Sequence, residues 1–179
     1  LRHCAMCARA RACACARACR YGLEEHGCSL GTFYRRVKGK GPTVLFVRDT
    51  AGALFGAFAS AEWHTAPSFY GSGESFLFAL RASGGRAPAE DGGMRVHRWS
   101  GRNTYFQLSN ESSIALGAGG HFGLWLADDF ARGSSGECET FESHCLGGED
   151  AEEFVVTAVE VYGFVAPDIH DMDDGCLSE

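Results

Sequence analysis

Apolar residues between positions 29 and 37 follow the spacing of one helical face. The residues at i, i+3, i+4 and i+7 of this face are Leu30, Phe33, Tyr34 and Val37. Ser29 stands at the position expected of a helix N-cap, and the glycines and proline of residues 38–42 stand where the helix should end. The pattern therefore predicts a short helix that begins after Ser29 and ends at Val37.

The remaining apolar residues form short runs that are rich in β-branched and aromatic side chains, which is typical of strands. The runs are Thr43–Arg48, Ala53–Ala59, Ser75–Leu80, Arg95–Trp99, Thr104–Leu108, Ser113–Leu116, Phe122–Leu126 and Phe154–Val165. Turn residues between the first two runs, the fourth and fifth, and the sixth and seventh predict three hairpins. We expect an exposed loop over residues 81–93 and a second helix around Ala127–Arg132.

The order of these elements predicts the fold class. Strands follow strands and do not alternate with helices, which disfavours βαβ folds. We predict an α+β fold that is mostly β, namely a two-sheet antiparallel β-sandwich with a few short flanking helices. The domain is expected to span residues 21–165. We expect residues 1–20, which are rich in Ala, Arg and Cys, to be disordered or a gene-model artefact, and the sequence to be a fragment. An acidic disordered tail is expected over residues 166–179.

Charge is distributed unevenly and bears on possible partners. The net charge is −7, yet residues 1–20 carry five arginines and no acid. An acidic body repels phosphate backbones, so nucleic acid is not expected as a partner. No run approaches the ~20 apolar residues of a membrane span, and residues 1–20 lack the apolar core expected of a secretory signal. We expect an intracellular, cytoplasmic protein, with mitochondrial or nuclear locations left open.

Candidate metal and cofactor sites are weak. Cys4-x-x-Cys7 and Cys13-x-Cys15-x3-Cys19 could contribute zinc ligands, but no second CxxC or HxxxH pair completes the set. Gly117-x-Gly119 is followed by a strand and not by the helix N-terminus that a phosphate needs. Gly71-Ser72-Gly73 does not match the nucleophile elbow of hydrolases. We therefore predict no metal, no cofactor and no catalytic residues.

Six short motifs together resemble one family, the TLDc domain. In chain order they are His26-Gly-Cys-Ser29-Leu30, Arg48-Asp49-Thr-x-Gly52, Phe55-Gly56-Ala57-Phe58, Phe69-Tyr70-Gly71-x-Gly73-Glu74-x-Phe76-Leu77-Phe78, Gly119-Gly120-His121-Phe122-Gly123-Leu124-Trp125-Leu126 and Val159-Glu160-Val161-Tyr162-Gly163-Phe164. The resemblance covers residues 21–165 in family order. Two departures are the Ala/Arg/Cys run before the first motif and Ala118 within the glycine cluster, where positive φ is disfavoured.

The resemblance implies a β-sandwich from proteins of the oxidation-resistance type. It also implies binding to the peripheral sector of the vacuolar-type proton ATPase, with modulation of its assembly or activity and no catalytic centre. We expect the partner-binding residues to lie in the glycine-rich motifs. They are Gly71, Gly73, Glu74, Gly119, Gly120 and His121.

Two other interpretations stay open at this point. The same glycines could serve only to form turns that need positive φ. A thiol-based redox enzyme or oxidant scavenger could act through Cys28, Cys138 or Cys145, since an exposed thiol of lowered pKa is nucleophilic.

Overall fold

Strands dominate the part of the chain that the structure describes, which is residues 17–81, 94–147 and 152–164 of a computed structural model. Two short helices are present in it, α1 (Leu23–His26) and α2 (Leu30–Val37). The strands are β1 (Arg17–Gly22), β2 (Thr43–Asp49), β3 (Leu54–Ala59), β4 (Phe76–Arg81), β5 (Arg95–Arg98), β6 (Gln107–Ser109), β7 (Ser113–Leu116), β8 (Leu124–Ala127), β9 (Arg132–Ser134) and β10 (Glu153–Phe164). The predicted loop over residues 81–93, the acidic tail and Cys4, Cys7, Cys13 and Cys15 lie outside the described residues, apart from Arg81.

The strands pair antiparallel along one hydrogen-bonded path, in the order β5-β4-β3-β2-β10-β9-β8-β7-β6, with β1 also on β10. The mostly-β fold with a few short helices is therefore confirmed. The path has two halves that meet at β10, one containing β2 to β5 and the other β6 to β9.

Strand β10 joins the two halves by changing its partner partway along. Its residues Glu153–Val155 pair with β9, whereas those from Val156 onward pair with β2. The register shifts between Val156 and Ala158, which marks a bulge. The hydroxyl of Thr157 lies at this shift and donates to the carbonyl oxygens of Arg48 at 3.1 Å and Asp49 at 3.2 Å. A bulge bends a strand, so one strand can serve both halves.

Both halves contribute side chains to one hydrophobic core. Leu45 and Phe55 of the first half and Leu116 and Leu126 of the second are fully or almost fully buried in the same cluster. On β2, alternate residues are buried, as expected of a strand with one face against the core. A single core shared by two halves is the packing that a two-layer sandwich requires.

Helix α2 agrees with the helical periodicity of the sequence. Leu30, Phe33 and Val37 are its buried residues. Ser29 occupies the N-cap position in extended conformation, but its side chain makes no capping hydrogen bond. The predicted helix around Ala127–Arg132 is wrong, because this segment is a turn between β8 and β9 in which Phe130 N–H donates to the carbonyl of Ala127 at 3.0 Å.

Two of the three predicted hairpins are confirmed, β2–β3 and β7–β8. The hairpin of Arg95–Trp99 with Thr104–Leu108 is wrong, since β5 pairs with β4 and β6 pairs with β7. The side chain of Gln107 explains the separation. Its amide accepts from Ala61 N–H at 3.0 Å and donates to the Ala61 carbonyl at 3.2 Å, which fixes β6 beside the segment that follows β3.

Strand β1 begins inside the Ala/Arg/Cys segment that we expected to precede the domain. Residues 17–20 pair with the end of β10, in the register Arg17 to Phe164 and Cys19 to Tyr162. Tyr21 on this strand is fully buried, and its hydroxyl donates to the Gly27 carbonyl at 2.6 Å. These four residues therefore belong to the fold. The sequence pattern did not indicate this, because backbone pairing with β10 does not require the apolar alternation that the segment lacks.

Candidate functional site

The first predicted glycine motif forms a tight turn before β4. Gly71 has φ +98°, and a Cβ there would lie 3.0 Å from Gln107 Oε1 and 3.3 Å from Phe106 Cβ. Ser72 N–H donates to Ser60 Oγ at 2.9 Å, which holds the turn against the end of β3. Glu74 is exposed. Gly71 is therefore required both by its backbone conformation and by its close neighbours.

The exposed side chain of Trp99 packs directly on Gly73. A Cβ at Gly73 would lie 2.3 Å from Cε3 of Trp99, closer than real atoms approach. The indole N–H of Trp99 donates to the Asn103 carbonyl at 2.7 Å, and its ring meets that of Phe106 edge-on at 5.5 Å. The side chain is nevertheless 43% exposed. A larger residue at position 73 would displace the indole.

The second glycine motif lies against the segment that follows β9. Gly117, Gly119 and Gly120 all have positive φ, whereas Ala118 does not, as expected of an alanine at this position. Gly119 O accepts from Glu139 N–H at 3.0 Å, and a Cβ on Gly119 would lie 2.8 Å from the Cβ of Glu139. The turn therefore packs closely on this segment.

Asn103 connects the two glycine motifs. Its carbonyl holds Trp99 and its Oδ1 accepts from Thr140 Oγ1 at 2.8 Å. Its Nδ2 lies 3.1 Å from the position that a Cβ on Gly119 would occupy. The structure thus brings Gly73 and Gly119 to one surface through Asn103 and Trp99.

His121 and Gly120 contribute to a separate cavity of about 400 Å³. His121 N–H donates to the Glu137 carbonyl at 2.9 Å, while its Nε2 lies 3.9 Å from Glu152 Oε1. Both side chains of this pair are more than half exposed, so the contact contributes little to stability. Ser135 and Gly136 also line the cavity. The six predicted residues therefore divide between a surface and a neighbouring cavity.

Three aromatic residues around Asn103 were not predicted from the sequence as site residues, and we call them the aromatic patch (Phe69, Trp99 and Tyr105). Trp99 and Tyr105 each donate to Asn103. Tyr105 is 44% exposed and its ring lies 4.7 Å from that of Phe69. Phe69 belongs to the first glycine motif, which was the only sequence signal near them. Trp99 and Tyr105 were assigned to a hairpin, and exposure cannot be read from residue type.

Two exposed glutamates, Glu74 and Glu139, lie close to Trp99 in the fold. Glu74 follows the glycine on which Trp99 rests, and the Glu139 carbonyl accepts from Ser100 Oγ at 2.6 Å, next to Trp99. In the described part of the chain, neither carboxylate has an ion-pair partner. Arg102 forms an exposed ion pair with Glu142 at 3.0 Å. The backbone of Glu142 has a φ of +47°. Arg98, which precedes Trp99, is also exposed, and its guanidinium lies over the Phe76 ring at 5.8 Å.

The candidate thiols lie in different environments. Cys28 is exposed, Cys145 is half-buried and Cys138 is buried, with its Sγ 3.4 Å from the Ala118 carbonyl. Across the three described ranges, no group of three or more His, Cys, Asp or Glu side chains is placed to hold a metal ion. Nor does any helix within those ranges have the length and apolar character needed to cross a membrane.

The environment of His97 alters its titration. It lies on β5, and burial lowers its pKa below the usual range; Arg95 and His144 act in the same direction. A hydrogen bond with the backbone of Glu142 opposes them. The neutral imidazole is therefore favoured at this position.

The chain forms a mostly antiparallel β domain in which two glycine motifs meet at an exposed tryptophan. The family model of the TLDc domain matches residues 3–165, and the chain is a member of that family. The match begins within the Ala/Arg/Cys segment, in agreement with the position of β1.

Named relatives are identical to the chain at about a third of the aligned positions. It is 36% identical to nuclear receptor coactivator 7 of Gallus gallus over 146 residues, which are 80% of the chain and 15% of the relative. It is 35% identical to oxidation resistance protein 1 of Rattus norvegicus, over 80% of the chain and 16% of the relative. The human protein of that name is 34% identical over the same share of the chain and 15% of its own length. The chain therefore spans only a small part of these relatives.

Proposed function

We propose that this chain is a non-enzymatic interaction domain that binds the peripheral sector of the vacuolar-type proton ATPase and modulates it. Membership of the TLDc family over residues 3–165 supports this function. The name of one group of relatives, oxidation resistance protein 1, supports a role in resistance to oxidative stress. A cytoplasmic location is part of the proposal, because the peripheral sector faces that compartment.

One observation carries the proposal. Two sequence motifs expected to bind a partner, around Gly73 and Gly119, meet at a single surface through Trp99 and Asn103. Tryptophan is enriched among residues that dominate protein–protein binding. A large ring that is held in a fixed position yet remains 43% exposed suits a docking role better than a packing role.

The thiol alternative rests on Cys28, which is exposed and adjacent to helix α2. Thiol catalysis of oxidant removal commonly uses a second, resolving cysteine. Cys138 is buried beneath Gly117, where a Cβ would lie 2.6 Å from its Sγ, so oxidants have poor access to it. Of the three candidate thiols, Cys28 is therefore the most accessible one for such chemistry.

The two functions are separated by adding the purified chain to isolated vacuolar-type ATPase. We would measure ATP hydrolysis and release of the peripheral sector. The unchanged chain is compared with a variant that carries Cys28→Ser and Cys145→Ser. We expect both to bind and to change ATPase activity equally, because neither thiol lies in the proposed surface.

The same two proteins would then be tested for peroxide resistance in cells. Equal protection supports docking, and protection that disappears with the cysteines supports the thiol function. If the unchanged chain neither binds the ATPase nor alters its activity, the proposed function is wrong.

A further inference from the structure

We infer that the aromatic patch, together with Glu74 and Glu139, is the docking surface for a lysine- or arginine-bearing segment of the partner protein. The inference rests on the proposed function, since it specifies the chemistry by which that partner is recognised. Lys or Arg side chains of the partner would lie on the faces of Trp99 and Tyr105, with the two carboxylates supplying the opposite charge.

Trp99 and Tyr105 are already fixed in an exposed position. Trp99 rests on Gly73 and donates its indole N–H to the Asn103 carbonyl at 2.7 Å. Tyr105 N–H donates to Asn103 Oδ1 at 3.1 Å, and the tyrosine ring lies against Phe69 at 4.7 Å. Because these rings are held before binding, less side-chain entropy is lost when a partner covers them.

The two exposed carboxylates near Trp99 favour a basic occupant. Glu74 and Glu139 flank Trp99 and have no ion-pair partner within the described ranges. Of the two neighbouring cations, Arg102 is paired with Glu142 at 3.0 Å, and Arg98 places its guanidinium over the Phe76 ring at 5.8 Å. A cation placed over a Trp or Tyr face is attracted by the ring, and nearby carboxylates add to that attraction.

The same charges disfavour other occupants. Phosphate groups of a nucleic acid or an anionic membrane would approach the unpaired carboxylates of Glu74 and Glu139 and be repelled. A second copy of the chain placed on this surface by a two-fold axis would bring the same acidic groups together. A basic protein segment meets neither difficulty.

The first test measures the affinity of the full chain for isolated vacuolar-type ATPase. We expect Trp99→Ala and Tyr105→Ala each to weaken binding by about tenfold or more, as central aromatic residues of interfaces do. Phe164→Ala is the matched control, because Phe164 is also 43% exposed but lies at the end of β10. This control should bind like the unchanged chain.

A charge variant covers the case in which Trp99→Ala fails to fold. Glu139→Lys changes an exposed side chain on the surface, and Glu25→Lys makes the same change on helix α1 as its control. We expect Glu139→Lys alone to weaken binding, and the affinity of the unchanged chain to fall as salt is raised. Equal affinity of the unchanged chain, Tyr105→Ala and Glu139→Lys would overturn the inference and leave the proposed function standing.

A peptide titration tests the surface without the ATPase. Octalysine added to the full chain should change the tryptophan fluorescence in a saturable manner, while octaglutamate should not. The response should be reduced in Tyr105→Ala and Glu139→Lys and retained in Glu25→Lys. If the unchanged chain does not bind the ATPase, the proposed function fails, and this titration still decides the surface: an octalysine response that the patch variants do not alter overturns it.

Discussion

The indole N–H of Trp63 donates to the hydroxyl oxygen of Thr43 at 2.9 Å, and both residues are buried. Thr43 is the first residue of β2, whereas Trp63 follows β3. The Trp63 ring also meets the edge of the Phe33 ring of helix α2 at 5.6 Å. One buried side chain therefore ties the end of the β2–β3 pair to the helix that covers it.

Replacing Thr43 by valine should reveal the contribution of this hydrogen bond. Thr43→Val keeps the shape of the side chain but leaves the Trp63 N–H buried without its acceptor, which costs about 1–3 kcal/mol in the free energy of unfolding. Urea denaturation measures the change. In a chain that already carries Trp63→Phe, the same valine substitution should cost much less. An equal cost in both backgrounds would show that the hydrogen bond is not its source.

Gly56 on β3 is expected to tolerate no side chain. A Cβ there would lie 1.9 Å from the backbone oxygen of Leu45 and 2.8 Å from the ring of Phe78. Relieving both contacts requires movement of β2 relative to β3, so Gly56→Ala should cost about 1–3 kcal/mol or more in the free energy of unfolding.

Gly22→Ala is the matched control for this substitution. Gly22 has φ −144° and no atom within 4 Å of an added Cβ. An alanine there restricts the unfolded chain without strain in the folded one, so stability should stay equal or rise by about 0.4–1 kcal/mol. Thermal unfolding of both variants checks the pair, and similar losses in both would contradict the steric argument.

His97 should make stability depend on pH in the mildly acidic range. Its folded pKa is lowered by burial from the ordinary value of about 6.5, so between these values the unfolded chain binds more protons than the folded one. The stabilisation is present above pH ~6.5 and is lost as the pH falls through the folded pKa. Arg95 and His144 lower the pKa further, and the backbone of Glu142 opposes them.

His97→Gln should therefore reduce the loss of thermal stability between about pH 7.5 and pH 5, because the glutamine does not titrate. His64→Gln is the control, since His64 is exposed and lies outside β5. The melting midpoint of each variant as a function of pH gives the comparison. Parallel curves for His97→Gln and the unchanged chain would show that His97 does not contribute.

The pattern of apolar and turn residues predicted the elements that are joined by short turns. It could not predict which strands that are distant in the sequence pair with each other. The β2–β3 hairpin follows from two apolar runs on either side of Asp49, whose Oδ1 accepts from Ala53 N–H at 2.7 Å within the turn. The β5–β6 hairpin failed although its turn residues were suitable, because Gln107 binds the backbone of Ala61 instead.

Only part of the candidate site could be predicted from the sequence. Glycine motifs identified Gly73 and Gly119 because close approach and positive φ restrict those positions to glycine. Which side chain occupies the space beside each glycine depends on the path of the chain after β5. Trp99 and Tyr105 could therefore be assigned only once that path was known.

Strand β1 should be needed for stability even though its sequence is of low complexity. Tyr21 is fully buried, and its ring lies 5.5 Å from those of Phe33 and Phe130. Burial raises the pKa of Tyr21 to about 12, as expected of a hydroxyl enclosed in the core. Removal of β1 would expose this part of the core and leave the end of β10 without one partner strand.

We expect a chain that starts at residue 17 to unfold cooperatively, and one that starts at residue 23 to be strongly destabilised or unfolded. Tyr21→Ala in the full chain should cost about 3–5 kcal/mol, the usual range for truncating a large buried aromatic side chain. Cys19→Ser is the matched control, because Cys19 is exposed on the same strand. Circular dichroism with urea titration measures all four proteins. Equal stability of the chains that start at residues 17 and 23 would mean that β1 does not stabilise the domain and that its pairing with β10 is dispensable.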